Sequence, residues 1–242
     1  MILSTVNGNG DKVIKGVAEK GLPERLGVKI LIYILGLFFM GLGVAFSVNS
    51  NLGVSPVNSL PYVISRIINV DMGTCVTGVF CCYILMQILL LRRAFCPVQL
   101  LQIVFSALFG QMVNITKRMV GDFTLPGYPG QLTMLLISLV FIAGGVYLYI
   151  EVDLVPMPME GLSLTLSKKF HVAFHNMKMI IDCLVVAISI GLSFLCLGNL
   201  AGIREGTVIT AIVAGKAVAL LRKILSPAME RICGSAVKEE AV

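Results

Sequence analysis

Two ionisable side chains lie four residues apart inside an apolar stretch of the chain. Lys178 and Asp182 belong to the run KMIIDCLVVAISIG, and a spacing of four places them on one face of a helix. Ionisable groups in membrane spans are costly and usually face a bundle interior or an aqueous path. Asp182, held by Lys178, is therefore a candidate carboxylate for coupling to a proton or cation. The alternative is an ion pair at the membrane surface, which a lysine reaches by extending its side chain.

Two short polar motifs each begin with proline: Pro56-Val57-Asn58-Ser59 and Pro158-Met159-Glu160-Gly161. Proline suits the first turn of a helix, and the free N–H groups at a helix start favour negative charge. We interpret both motifs as the starts of broken helices at a substrate site. The alternative is an ordinary helix start at the membrane surface. The predicted binding residues are Asn58, Ser59, Glu160 and Gly161.

The last apolar run contains a lone cation and follows a short polar turn. Lys216 lies in TAIVAGKAVALL; Glu160, Asp182 and Glu205 are candidate partners for it, but the sequence does not establish a pairing. The turn supplies Arg204, Glu205 and Thr207, and Thr207 is a candidate cap for the helix that follows. The capping role is favoured over a ligand-binding role for this turn.

No sequence pattern points to an enzyme, a cofactor or a metal. The seven cysteines lie mostly in apolar runs without a C-x-x-C motif, and such thiols pack as small hydrophobes. His171 and His175 are four residues apart, but no nearby carboxylate or cysteine completes a zinc site. The uncharged polar residues within apolar runs are expected to form hydrogen bonds between helices; they are Gln87, Gln102, Gln111 and Asn114.

The composition identifies the class of protein. The chain has 242 residues, of which 57% are hydrophobic, and its mean hydropathy is +0.94. Only 13% are charged, against about 25% in soluble domains. Five runs of 20 to 36 residues lack Asp, Glu, Lys and Arg, and a membrane helix needs about 20 apolar residues. The sequence predicts a polytopic protein whose surroundings are the lipid bilayer.

The basic residues cluster outside the apolar runs, with a net charge of +6. Five precede the first run and four follow the last, which is the positive-inside pattern. We expect a multi-pass cell-membrane protein with both termini in the cytoplasm, and no nucleic-acid partner.

The second half of the chain repeats the order of the first. At an offset of 102 residues, Gly43 matches Gly145, Pro56 matches Pro158, and Ser65 matches Ser167; self-similarity at a fixed spacing indicates a duplication. The prediction is an all-α transmembrane bundle of two duplicated halves, each with three full spans and one short broken segment. Its parts are an N-terminal tail (1–27), a first repeat (28–120), a linker (121–131), a second repeat (132–226) and a C-terminal tail (227–242).

The short segments leave two topologies open. If each one crosses the membrane, the halves are parallel, whereas if each one dips in and returns, the halves are inverted. Crossing places one more basic residue in the cytoplasm than re-entry does, so the charge distribution slightly favours crossing.

Several motifs occur in an order that resembles a known family. The pattern comprises a glycine-rich first span, Leu52-Gly53-x-x-Pro56, the run Pro158–Leu162, Lys178 and Asp182 in place of an Arg-x-x-x-Glu pair, and Glu205-Gly206-Thr207. From about Ile30 to Leu225 the chain resembles the YczE/YitT family of bacterial integral membrane proteins, with Met159 in place of a basic residue. The resemblance implies a multi-spanning protein of the inner or plasma membrane and supplies no substrate.

Paired, proline-interrupted segments at matching places in two halves are typical of secondary transporters. The leading hypothesis is a transporter or exporter of a small solute, in which Glu160 contacts the substrate. A non-transporting membrane interaction or accessory protein is the alternative. A water-filled cavity that reaches Glu160 and Asp182 would favour transport, and a dry bundle would favour the alternative. An oligomer is compatible with either.

Overall fold

The computed structural model describes residues 26–92, 97–152 and 154–233, and in these ranges the chain is entirely helical. The predicted all-α membrane bundle is confirmed. Of the predicted tails, residues 1–25 and 234–242 lie outside the described residues, as does Asp153, whereas residues 227–233 continue the last helix. The helices are α1 (Leu26–Asn49), α2 (Pro56–Ile68), α3 (Met72–Leu91), α4 (Leu101–Val120), α5 (Gly127–Val152), α6 (Pro158–Phe170), α7 (Phe174–Leu197) and α8 (Glu205–Cys233), with a 3₁₀ turn at Pro97–Leu100 before α4.

Four of the described helices are long and apolar enough to cross a membrane: α1, α3, α5 and α7. The sequence predicted six full spans, the other two being α4 and α8. These helices have 20 and 29 residues, but they carry more polar side chains, such as Gln111 and Asn114 in α4. They pack lengthwise against the apolar helices, α4 against α1 and α3, and α8 against α5.

Contacts along α4 establish the direction of its neighbours. Tyr33 and Phe105, near the starts of α1 and α4, have ring centroids 4.5 Å apart, so these two helices are parallel. Helix α3 is antiparallel to both, because its first turn contacts the end of α4 and its last turns contact the start. The Gly73 N–H donates to Asn114 Oδ1 (2.8 Å), and Gln87 Nε2 donates to Gln102 Oε1 (3.1 Å).

Helices α1 and α5 form the most extensive interface of the bundle, and they cross at glycines. A Cβ placed on Gly145 would lie 2.5 Å from the Gly36 carbonyl oxygen, and one on Gly43 would lie 2.9 Å from that of Ser138. Gly36 of α1 contacts Gly145 of α5, and Gly43, which is later in α1, contacts Ser138, which is earlier in α5. The two helices are therefore antiparallel. Gly43 and Gly145 are 102 residues apart, as are Gly36 and Ser138, so the contact is symmetric about an axis perpendicular to the helices.

Helix α2 begins and ends at one end of the bundle. Asn49, which ends α1, donates from Nδ2 to the Gly121 and Phe123 carbonyl oxygens, just beyond α4. Gly73, at the start of α3, contacts the same end of α4. The first turn of α2 is buried, whereas Ile68 at its end is 55% exposed. The chain therefore dips into the bundle as an extended segment, residues 50–55, and returns as a helix.

Helix α6 belongs to a second segment of this kind, which enters the bundle from the opposite end and returns to that end as a helix. Glu151 at the end of α5 pairs with Arg222 of α8, while Gln131 at the start of α5 lies with Leu197 at the end of α7. Helix α7 thus begins where α5 ends. Both short segments re-enter, and the slight preference for crossing was wrong because the charge distributions of the two topologies differ by a single residue.

The two short helices have matching starts and stops. Pro56 and Pro158 occupy their first turns after an extended residue, as predicted for both motifs. Asn69 (φ 54°) and His171 (φ 56°) end them in the left-handed conformation, and their N–H groups donate to the carbonyl oxygens of Ser65 and Ser167. Each equivalent pair is 102 residues apart.

The glycine contact makes a prediction about packing. Gly145→Ala should destabilise the fold by about 1–3 kcal/mol, the usual cost of overpacking, because α1 and α5 would have to separate. The control is Gly144→Ala, since a Cβ on Gly144 meets nothing within 4 Å among the described residues. Thermal unfolding in detergent, followed with a thiol-reactive dye, measures both changes. Equal melting temperatures for the two variants would contradict the packing.

The re-entrant topology makes a second prediction. In a cysteine-free background, Val70→Cys, Asp122→Cys and Asn199→Cys should react with an impermeant maleimide from one side of the membrane, and His171→Cys from the other. All four positions are exposed. Crossing segments would instead place Val70 and Asp122 on the same side as His171. Labelling of intact cells and of inverted vesicles distinguishes the two results.

Candidate functional site

The first proline motif lies against the middle of α7. Asn58 and Ser59 are 5% and 0% exposed. The Ser59 hydroxyl donates to the Pro56 carbonyl oxygen (2.8 Å) and lies 3.1 Å from Ser189 Oγ. Asn58 Nδ2 donates to Ser55 Oγ (3.0 Å), but its Oδ1 is buried without a partner among the described residues. The predicted residue Asn58 therefore has an unused acceptor in the interior.

The second proline motif lies against two buried glutamines. Gln87 and Gln102 are 0% and 1% exposed, and Gln87 Nε2 donates to the Pro158 carbonyl oxygen (2.9 Å) as well as to Gln102. A Cβ on Gly161 would lie 2.8 Å from Gln87 Oε1 and 2.9 Å from Gln102 Nε2. Glycine is required here because the amides fill its side-chain space. The predicted interhelical role of the two glutamines is confirmed, and both of those amide atoms are buried without a partner in the described part of the chain.

Glu160 of the same motif is half-buried beside two tyrosines. The Tyr149 hydroxyl donates to Glu160 Oε2 in a short hydrogen bond. Tyr33 lies close enough for an electrostatic interaction with this carboxylate, and its hydroxyl donates to the Val155 carbonyl oxygen (3.2 Å). Glu160 is thus held at the inner end of α6 by Tyr149 of α5.

Asp182 and Lys178 form the predicted pair on α7. Their Oδ2 and Nζ atoms are 3.8 Å apart, with side chains 22% and 30% exposed. Asp182 also lies within electrostatic range of Tyr83 on α3. Both Asp182 Oδ1 and the Tyr83 hydroxyl are buried without a hydrogen-bond partner in the ranges described. The pair therefore faces the α3–α7 side of the bundle.

The remaining predicted residues do not join these groups. Lys216 is exposed on α8 and forms no ion pair among the described residues, so it is not paired there with Glu160, Asp182 or Glu205. Arg204 Nε lies 3.5 Å from Glu205 Oε2 at the surface. Thr207 is not the cap, because α8 already begins at Glu205. The Thr207 side chain is instead buried against Gly53.

A cavity of about 560 Å³ opens at the end of the bundle where α7 stops. The first re-entrant segment contributes Gly53, Val54, Tyr62 and Arg66 to its wall, and the α7–α8 connection contributes residues 199–202 and Arg204. Neither Glu160 nor Asp182 lines it. Asn58 and Ser59 do not line it either. The cavity that would favour transport by the sequence criterion, one that reaches Glu160 and Asp182, is therefore not seen among the described residues.

The corresponding space beside the second re-entrant segment is closed. Tyr33, Gln102, Phe105 and residues 156–158 surround a gap that is too narrow for a water molecule. Val54, in the wall of the open cavity, and Pro156, in the wall of the closed gap, are 102 residues apart. The space beside Val54 is therefore open, and the space beside Pro156 is filled by the described side chains.

The buried residue Glu151 and two residues of the cavity wall were not predicted from the sequence. Glu151 is almost fully buried, and its Oε2 lies 3.8 Å from Arg222 Nε. The one sign of this in the sequence is that Glu151 directly follows an apolar run. Tyr62 and Arg66 were not singled out, yet both line the cavity. No group of three or more His, Cys, Asp or Glu residues in the described ranges is placed to hold a metal ion.

The comparisons with known proteins identify the family but no activity. Residues 27–223 match a family of unknown function, DUF6198. The chain belongs to this family. No curated protein and no solved structure matches the chain. The match covers α1 from Gly27, α2 to α7 completely and α8 as far as Lys223, and it includes both re-entrant segments.

The glutamine contact generates a prediction. Gln87→Leu should lower stability by about 1 kcal/mol, the scale of hydrogen bonds between membrane helices, because Gln102 and the Pro158 carbonyl lose a donor. Gln111→Leu is the control, since Gln111 is exposed on α4 and loses no buried bond. Melting temperatures in detergent give the comparison. An unchanged value for Gln87→Leu would show that the contact does not hold α6 in place.

Proposed function

We propose that this protein is a secondary transporter or exporter of a small solute in the bacterial cytoplasmic membrane. The observation that carries the proposal is the pair of re-entrant segments, which enter from opposite ends and begin helices in the interior. Non-helical backbone at membrane depth is tolerated where it is buried in protein or lines a water-filled cavity. Such broken helices at equivalent places in two halves mark the binding site of many transporters.

The two halves are, in this proposal, an inverted duplication. The symmetric α1–α5 glycine contact and the matching caps of α2 and α6 support it. So does the packing, since α2 lies against α7 as α6 lies against α3. With the N-terminus in the cytoplasm, the cavity opens outwards and the C-terminus is also cytoplasmic. The finer relationship to the YczE/YitT family is part of the same proposal.

Alternating access follows from inverted halves. Each half can adopt the conformation of the other, which would close the cavity beside Val54 and open the gap beside Pro156 around the same solute. The cavity beside one segment and the filled gap beside the other support this mechanism. Asn58 and Ser59 would contact the solute from one side, and Glu160 and Gly161 from the other.

The two carboxylates have separate roles. Glu160, held by Tyr149, contacts the solute directly. Asp182, on a different helix and paired with Lys178, takes up and releases the coupling proton or cation. Protonation of Asp182 would break its ion pair with Lys178. The side of α7 that faces α3 would then have two states, one with the ion pair formed and one with Lys178 released.

Uptake into proteoliposomes tests the proposal. Vesicles with and without a pH gradient are incubated with a defined mixture of amino acids, organic acids, polyamines and sugars, and the lumen is analysed by mass spectrometry. We expect Glu160→Gln to lower uptake about tenfold or more, the scale of a lost charged contact. Asp182→Asn should remove the response to the pH gradient. Asp122→Asn, which changes an exposed carboxylate, is the control.

Two results would contradict the proposal. If no solute enters above the level of protein-free vesicles, the accessory role becomes the better account of this bundle. If solute enters but Glu160→Gln and Asp182→Asn behave as the control does, the assigned roles are wrong.

A further inference from the structure

We propose that the open cavity binds the anionic group of a small organic solute, which makes the transported solute a carboxylate or phosphate compound that also carries a cationic or hydroxyl group for Glu160. This inference rests on the proposed function and names its substrate class. It is carried by the charges of the cavity wall. Arg66 and Arg204 line it, and no Asp or Glu in the described part of the chain does.

Arg66 is positioned by an aromatic ring. Its Nε and Nη2 donate to the Tyr62 hydroxyl (3.2 and 3.1 Å), and the guanidinium carbon lies 5.4 Å from the Tyr62 ring centroid. Tyr62 in turn packs directly on Gly202, where any Cβ would collide with the ring. A guanidinium has five N–H donors, so three remain for a ligand.

Arg204 lines the cavity from the connection between α7 and α8. Its Nη1 donates to the Asn51 carbonyl oxygen (3.3 Å), which ties it to the first re-entrant segment. Glu205 offsets part of its charge at 3.5 Å, but both side chains are about half exposed, and exposed ion pairs are weak. An anion that binds Arg204 in the cavity would therefore compete mainly with water.

Other charged groups near Arg66 leave the wall of the cavity positively charged. Lys117 lies within electrostatic range of Arg66, and Asp71 and Asp122 lie near Lys117. None of these three lines the cavity. The uncharged polar side chains of the wall provide further hydrogen bonds; they are Ser47, Asn51, Gln131 and Asn199.

The size of the cavity favours an organic anion over a halide. About 560 Å³ lies within the 300–1,000 Å³ typical of small-molecule sites. Arginine also matches the planar, two-oxygen geometry of carboxylate and phosphate groups. A phospholipid headgroup offers the same chemistry, so the experiment must separate the two sources.

Thermal unfolding of the full-length protein in an uncharged detergent is the first experiment. The probes are inorganic phosphate, succinate and citrate at matched ionic strength, with chloride, choline and mannitol as controls. We expect at least one of the three anions to raise the melting temperature. Arg66→Gln and Arg204→Gln should each require about tenfold more anion for the same rise, the scale of a lost charged hydrogen bond. Arg66→Lys, which keeps the charge, should lose less.

Arg118→Gln is the matched control, because Arg118 is exposed at the same end of the bundle outside the cavity. It should respond to anions as the parent does. The inference is overturned if no anion stabilises the parent, if mannitol or choline stabilises it equally, or if Arg66→Gln and Arg204→Gln behave as Arg118→Gln does.

A second arm uses nanodiscs of phosphatidylcholine with and without phosphatidylglycerol. Stabilisation by phosphatidylglycerol alone, without an effect of free anions, would identify a lipid headgroup site and overturn the inference of a solute. Anion binding at the arginines without uptake in proteoliposomes would refute transport but leave the site intact. Uptake of a neutral or cationic solute that Arg66→Gln does not alter would refute the anion and leave transport intact.

Discussion

The rest of this structure depends on one constraint, which is that backbone leaving a helix inside an apolar bundle must find hydrogen-bond partners. The first re-entrant segment obtains them from the start of α8: Gly206 N–H donates to the Leu52 carbonyl oxygen, and Val54 N–H donates to that of Gly202. The second obtains one from Tyr33 of α1, which donates to Val155. Each half therefore supplies the partners that allow the other half to break its helix. This exchange explains why the segments lie between the two halves of the chain.

Local features of these segments could be predicted from the sequence, and their topology could not. Proline in a first turn has a local cause, so Pro56 and Pro158 mark both helix starts correctly. The end of the bundle to which a segment returns depends on contacts between distant residues, such as Asn49 with Gly121. The same limit applies to charges. Lys216 in its apolar run gives no sign that it faces outwards, and the partner of Glu151 is 71 residues away.

The halves share a backbone plan but differ at the inner ends of their short helices. Ser59 meets Ser189 through two small hydroxyls, whereas Gly161, its counterpart, leaves room for the longer amides of Gln87 and Gln102. Asn58 is uncharged and its counterpart Glu160 is a carboxylate. The predicted site residues were found because they stand next to proline. Gln87 and Gln102 belong to the same site through folding alone, since they come from α3 and α4.

Helices α3 and α4 pack closely where Gly73 meets Gly110, whereas α8 has no comparable packing along α7 in the described residues. In the proposed duplication, an offset of 105 residues matches Gly110 to Gly215 of α8, and a Cβ on Gly215 would meet nothing within 4 Å in those same residues. A glycine without a close neighbour on a membrane helix leaves room for another backbone to approach. The exchange of conformations in the proposed transport cycle would therefore bring α7 towards Gly215 and separate α3 from Gly110.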